Sequence, residues 1–273
     1  EICLKEMVNA INHRGPDNTG IWADSNIGLG HARLSIIDLS SAGHQPMHSV
    51  SSNFVMIFNG EIYNHNEIRM ELNNLYERKW TGHSDTETLL EAIEQWGLET
   101  TLNKTKGMFS IALWDKRNRN LYLARDRMGE KPLYYGWVDN QFVFASELKA
   151  IKKFPKFNNS IDRNALALFL RFNSIPSPYS IYEDIFKLEP GTIIQFNADS
   201  KKIVKSTYWS TEEEFIKSSS SVFSGNFEDA VNQLELILSK AVSSQMESDV
   251  PLGAFLSGGV DSSLIVALMQ SQS

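Results

Sequence analysis

Short apolar runs of strand length, joined by tight polar connections, dominate the chain between Ile21 and Phe196. Phe54–Phe58 and Phe109–Trp114 are two of them, and Asn120–Ala124 follows the polar stretch Asp115–Arg119, which reads as a hairpin loop. Leu133–Val138 and Phe142–Ala145 flank Asp139-Asn140, a dipeptide suited to positive φ and so to a second hairpin. Gly191–Phe196 predicts a later strand. Strands joined this tightly pair antiparallel, because a parallel crossover needs about a dozen residues.

Helical spacing appears in Ile2–Ile11, halted by His13-Arg-Gly-Pro16, and again in Glu67–Leu75, Thr86–Trp96 and Asp162–Phe172. Gly97 stops the third of these, and Ser84 with Glu87 spells a capping box. Antiparallel strands with a few helices predict layered α+β packing. The character changes after 209. Ser210–Gly225 is polar and reads as a linker; Asn226 then caps a helix with an apolar stripe at Phe227, Val231, Leu234, Leu238, Val242 and Met246. Pro251–Leu256 predicts a strand and Ser262–Met269 a helix, which is how a parallel α/β domain opens. The 48 residues from 226 to 273 are too few to complete one, so the C-terminal end is expected to be cut. The chain opens at Glu1 rather than Met, so its start is expected to be missing too.

Composition narrows the class. Among 273 residues, 42% are hydrophobic and 22% charged, which excludes a largely disordered chain. A net charge of −7 weighs against a nucleic-acid surface. Cys3 is the sole cysteine, so an internal disulfide and a multi-cysteine zinc site are excluded, and a reducing cytoplasm is expected. Cys3 itself reads as a packing residue within the first helix. No apolar run approaches the ~18 residues that span a bilayer, so no membrane partner is expected.

The sharpest motif is Leu256-Ser-Gly-Gly-Val-Asp-Ser-Ser263, between a strand signal and a helix signal. Two glycines let backbone approach a ligand, and N–H groups gather at the helix start, a combination that cradles phosphate. No lysine follows, so it is not a P-loop. Four further segments stand apart in the strand-rich half: His13–Asp17, His31–Asp38, Asn59–Asn64 and Thr81–Asp85. Arg33 is a fork donor able to grip a carboxylate, Asp85 offers a carboxylate to an ammonium, and Asn59 with the Gly60 N–H could stabilise an oxyanion. Together these groups suit a free α-amino acid with a carbonyl side chain. Taken singly, Asp85 reads equally as a helix cap, and Asn59-Gly60 equally as a plain turn.

The loop S-G-G-V-D-S resembles the pyrophosphate loop of ATP pyrophosphatases, and the four segments resemble the glutaminase domain of class II glutamine amidotransferases. In this order they resemble the glutamine-hydrolysing asparagine synthetase family over nearly the whole chain. The resemblance implies an N-terminal-nucleophile αββα sandwich of antiparallel sheets over 1–209, a linker at 210–225 and the start of an α/β ATP-pyrophosphatase domain over 226–273. It implies glutamine contacts at Arg33, Leu34, Ser35, Ile36, Ile37, Asn59, Gly60, Glu61 and Asp85, with the oxyanion hole at Asn59 and Gly60. It implies ATP contacts at Leu256, Ser257, Gly258, Gly259, Asp261 and Ser262, with Asp261 helping to hold Mg²⁺. The implied partners are small molecules and a second subunit in a homodimer. The implied reaction hydrolyses glutamine to ammonia and amidates aspartate through an ATP-derived aspartyl-AMP.

One departure matters. The family's nucleophile is an N-terminal cysteine, and Cys3, only ten positions before His13 and preceded by Glu1 and Ile2, does not match it. The chain is therefore expected to be inactive. Three rivals remain: amidation of another carboxylate such as a sugar uronic acid, a β-lactam-synthetase-like cyclase, and a non-catalytic scaffold. His44 and His48 have metal-like spacing, but Pro46 between them breaks the helix that would align them. Ser35 and Ser257 lack a G-x-S-x-G setting.

Overall fold

The computed structural model describes residues 1–75 and 77–272, so Ser273, the last residue of the expected 226–273 domain, lies outside it. The chain forms two units: Glu1–Ser35 with Ser40–Ser210, and Ile36–Leu39 with the residues from Thr211 onward.

In the first unit, β1 (Asn18–Asp24) and β2 (Ile27–Arg33) pair as an antiparallel hairpin. The strands β3 (Met47–His48), β4 (Phe54–Ile62), β5 (Gly107–Asp115) and β6 (Asn120–Arg125) join β10 (Thr192–Asn197) and β11 (Ile203–Thr207). They form a six-stranded antiparallel sheet ordered β11-β10-β6-β5-β4-β3. A third sheet is ordered β8-β7-β9, from β7 (Tyr134–Val138), β8 (Gln141–Ala145) and β9 (Ile185–Lys187). Both expected hairpins form. Asp139 and Asn140 take φ of 47° and 60°, and the Asp115 carboxylate accepts the Arg117 and Asn118 N–H groups at 2.9 and 3.1 Å in the other turn.

Each face of the large sheet is covered. On one, Met56, Phe58, Ile62, Phe109, Ile111 and Leu113 share a core with α2 (His65–Leu75), α3 (Asp85–Trp96) and α4 (Leu98–Lys104). On the other, Val55, Ala112, Trp114, Leu121, Leu123 and Ile194 pack with Leu29 of β2 and with Leu133 and Leu188. Beyond the small sheets lie α1 (Ile2–Asn9), which faces β2, and α5 (Leu148–Ile151), whose Ile151 packs on Val138, Val143 and Ile185. Val8 of α1 fits only because β2 carries glycine there: a Cβ on Gly30 would lie 2.4 Å from it. The result is the expected αββα layering of antiparallel sheets.

Three local expectations need correction. Ser84 caps α3 by accepting the Glu87 N–H at 3.2 Å, but the Glu87 carboxylate does not return to Ser84. It accepts the Thr81 and Gly82 N–H groups instead, at 2.7 and 3.0 Å, because the incoming loop folds over the helix start. The polar stretch 210–225, read as a linker with no element in it, carries a helix, α7 (Thr211–Ser219), in its first half. Pro251–Leu256 forms no strand; a strand needs a laddered neighbour, and no other strand is present in its unit among the described residues.

In the second unit, α8 (Phe227–Ser244) opens with a full capping box between Asn226 and Asp229, and α9 (Val260–Gln270) packs along it. Val242 from the predicted stripe is buried, whereas Phe227, Val231 and Leu234 stay exposed.

Candidate active site

The strand β4 is paired with β5 along its whole length, Phe54 to Ile62, but with β3 only at Val55 and Met56. Its other edge is therefore open from residue 57 onward. Backbone N–H and C=O groups alternate sides along a strand. The even-numbered residues face this edge: Phe54 C=O accepts from Ser49, while odd-numbered Tyr63 N–H donates toward β5 at Lys106. Side chains fill the edge where a strand is missing. Gln45 Oε1 accepts the Phe58 N–H at 2.6 Å, His31 Nε2 donates to the Phe58 C=O at 3.0 Å, and Asp85 Oδ2 accepts the Ile62 N–H at 2.9 Å. Between them the alternation directs the Gly60 N–H to the same edge.

Asn59-Gly60 is thus not a turn but strand interior. Gly60 sits opposite Phe109, and a Cβ there would lie 2.2 Å from the Met108 carbonyl oxygen, so close approach of β5 demands glycine. Asn59 and Glu61 project to the other face from Phe58 and Ile62, on the side where Val55 meets Leu29 of β2. The Asn59 Nδ2 amide is buried without a hydrogen-bond partner. An unsatisfied buried donor beside a free strand-edge N–H is the arrangement that an oxyanion or carbonyl oxygen would complete.

Asp85 is not the cap of α3; Ser84 is, and Asp85 is the first helical residue. Its carboxylate is buried, which pushes its pKa up against the Ile62 N–H, the nearby His65 and Thr86. Thr86 Oγ1 approaches Asp85 Oδ1 at 3.4 Å, and Gln45 Nε2 approaches Thr86 Oγ1 at 3.5 Å. The loop before Asp85 is held by Arg69 of α2, which donates to the Gly82 and Ser84 carbonyls and to Thr88 Oγ1 at 3.0 to 3.3 Å. Glu61 is half-buried, and burial raises its pKa while the Lys131 charge opposes the shift. Tyr63 beside them is pushed up to about 12, first by burial and then by Glu130, Glu61 and Asp126.

Arg33 ends β2, is buried, and donates from Nη1 to the Ser40 C=O at 2.9 Å. Asp17 of the H-R-G-P-D segment secures that strand end. Its N–H donates to the Arg33 C=O at 3.1 Å and its Oδ2 accepts the Ser35 N–H at 2.8 Å. Gly15 permits this contact, since a Cβ would stand 2.3 Å from the Ala32 carbonyl. Leu34 is exposed. Ile36 and Ile37 belong to the second unit, where the Ile36 C=O accepts the Asp249 N–H at 2.9 Å. Sequence reasoning gave no role to Gln45, Thr86 or Arg69, and none to Glu147, which gathers His13, Arg14 and Lys149. A lone polar residue carries no signal until its burial is known.

Cys3 lies inside α1, where burial and Glu6 raise its thiol pKa, the opposite of an activated nucleophile. His48 stands edge-on to Trp22, with ring centroids 5.8 Å apart. Among the described residues, no three His, Cys, Asp or Glu side chains converge to hold a metal ion, and no helix is long and apolar enough to cross a membrane.

In the second unit, Gly258 takes φ +78° and Gly259 caps α9. The Ser257 and Ser262 hydroxyls lie 2.9 Å apart across the loop. Leu256 is exposed beside them, and Asp261 sits in the first turn of α9. Two hydroxyls and exposed helix-start N–H groups around paired glycines are a donor set for phosphate oxygens.

The glutamine amidotransferase domain family matches residues 1–209, and the asparagine synthase family matches 233–273. Two glutamine-hydrolyzing asparagine synthetases of Bacillus subtilis, numbered 1 and 3, are 37% and 34% identical over 98% and 97% of this chain. The chain spans 40% and 42% of their lengths. Among solved structures, the glutamine phosphoribosylpyrophosphate amidotransferase of B. subtilis is 16% identical with a TM-score of 0.55, over 97% of this chain and 60% of that one. That likeness shows a shared fold.

Proposed function

The chain belongs to the glutamine amidotransferase domain family, and from that premise we propose that it is part of a glutamine-dependent asparagine synthetase. Glutamine plus water gives glutamate and ammonia in the first unit. In the complete synthetase domain, aspartate and ATP give aspartyl-AMP and pyrophosphate, and ammonia then displaces AMP to leave asparagine.

The observation that carries the glutamine half is the open edge of β4. Arg33 supplies a fork for the α-carboxylate, and Asp85 with Glu61 supplies anionic oxygen for the α-ammonium. Asn59 Nδ2 and the Gly60 N–H supply donors for the side-chain carbonyl, whose oxygen becomes anionic as the amide is attacked. The thiol for that attack is not Cys3. The S-G-G-V-D-S loop supports ATP: Ser257, Ser262 and the backbone of Gly258 and Gly259 would hold pyrophosphate oxygens, with Leu256 beside the nucleotide. Asp261 would offer one carboxylate oxygen to Mg²⁺, a cation that takes few protein ligands and completes its shell with phosphate and water. Magnesium there would neutralise charge on the phosphates. The reading is of a cytoplasmic homodimer acting on small molecules.

The test is calorimetric titration of this chain with L-glutamine and with L-asparagine. Selective binding of glutamine supports the site; no binding favours the scaffold reading. In a protein carrying the whole synthetase domain, aspartate-dependent exchange of pyrophosphate into ATP separates asparagine synthesis from amidation of another acceptor.

A further inference from the structure

Both polar groups of one peptide residue, Phe58, are held by side chains rather than by a strand: its N–H by Gln45 at 2.6 Å and its C=O by His31 at 3.0 Å. We propose that Gln45 and His31 are positioning residues which clamp Phe58 and thereby set where the Asn59 and Gly60 donors point. The inference rests on the glutamine reading of that edge and goes beyond it, because neither side chain would touch the substrate.

Several independent observations support the clamp. The ladder from β3 stops at Met56, so among the described residues no strand pairs with that side of β4 before Asn59. The three participants come from different pieces of chain: His31 from β2 in the two-stranded sheet, Phe58 from the six-stranded sheet, and Gln45 from the loop before β3. Gln45 is buried and its main chain lies close against β1. It is 5% exposed, and its own carbonyl oxygen would stand 2.0 Å from a Cβ placed on Gly20 of β1. His31 is held to one tautomer. Its Nε2 must carry the proton it donates, while its Nδ1 is buried with no partner, an uncompensated polar atom that a merely space-filling residue would not leave. His31 also lies two residues before Arg33, so a single bond links the strand that ends in the carboxylate fork to the strand that carries the carbonyl donors. An error of about 1 Å in such donors is enough to lose their directional hydrogen bonds.

The experiment titrates this chain with L-glutamine and with L-norvaline, which keeps the α-amino acid head but lacks the side-chain carbonyl. Gln45→Met, close in volume and unable to accept from Phe58, is expected to weaken glutamine about tenfold, the worth of one hydrogen bond of about 1.4 kcal/mol. Norvaline should stay within about twofold. His31→Leu should act in the same direction, and His31→Gln, whose amide can still donate to the Phe58 C=O, should restore much of the affinity. Equal weakening of both ligands would mean general loosening and would overturn the clamp, as would glutamine affinity unchanged in Gln45→Met. If the unsubstituted chain does not prefer glutamine to norvaline, the assignment of Asn59 and Gly60 as carbonyl donors fails first, and the clamp falls with it.

Discussion

Asp85 accepts the Ile62 N–H at 2.9 Å, so the carboxylate at the start of α3 closes the free edge of β4 two residues beyond Gly60. Burial, above all, raises its pKa from the ordinary value. The stability that a raised acid pKa represents is fully present below the unfolded value of about 3.9 and is lost as pH rises through the folded value. At neutral pH the buried carboxyl is therefore a burden on stability.

Asp85→Asn should relieve that burden while keeping an oxygen for the Ile62 N–H. We expect its melting temperature at pH 7 to equal or exceed that of the unsubstituted chain, with any gain shrinking toward pH 3. Glutamine should bind about ten- to a hundredfold more weakly, the worth of a charge-assisted hydrogen bond of about 1.5–3 kcal/mol. Scanning calorimetry at both pH values with a glutamine titration checks this. Unchanged glutamine affinity would leave Asp85 a purely structural residue.

His31 titrates the other way. Burial, above all, pushes its pKa down to about 4 from 6.5. The stability this represents is present above pH 6.5 and is lost as pH falls toward 4, amounting to about 3 kcal/mol over that window. Urea unfolding at pH 7, 5.5 and 4.5 should show the loss in the unsubstituted chain, and His31→Gln should flatten the His31 share of it. An equal slope in both would place the acid sensitivity elsewhere.

Two glycine substitutions should differ sharply in cost. A Cβ on Gly60 would meet the Met108 carbonyl oxygen at 2.2 Å, and β5 cannot withdraw without losing its ladder, so Gly60→Ala should cost about 1–3 kcal/mol or more. Gly253 has nothing within 4 Å, and Gly253→Ala should stay within about 0.5 kcal/mol. Chemical denaturation of the two variants decides it.

The loop before α9 makes a separable prediction. Asp261→Asn removes the anionic oxygen proposed for magnesium, so pyrophosphate–ATP exchange should be lost in a protein with the whole synthetase domain. Glutamine binding should persist, because the residues proposed for glutamine include none from this loop. Near-normal exchange would exclude the metal role of Asp261.

Much of the fold was legible in the chain because its signals are local. The runs at 54–58, 109–114 and 120–124 are apolar at strand length, and Asp139-Asn140 tolerates positive φ. Ser84 can reach the Glu87 N–H wherever that helix packs. The S-G-G-V-D-S loop was readable for the same reason, since paired glycines before a helix are a local arrangement. What failed also failed physically. Pro251–Leu256 has strand composition, but a strand exists only with a neighbour to share its ladder. Only the tertiary structure decided that Asn59-Gly60 is strand interior, because the choice depended on β5 continuing opposite it to Gly107 while the β3 ladder ended at Met47, opposite Met56. The same asymmetry left one edge of β4 unpaired, and buried backbone groups must find partners. Gln45, His31 and Asp85, at three distant positions in the sequence, meet there because each satisfies one of those groups.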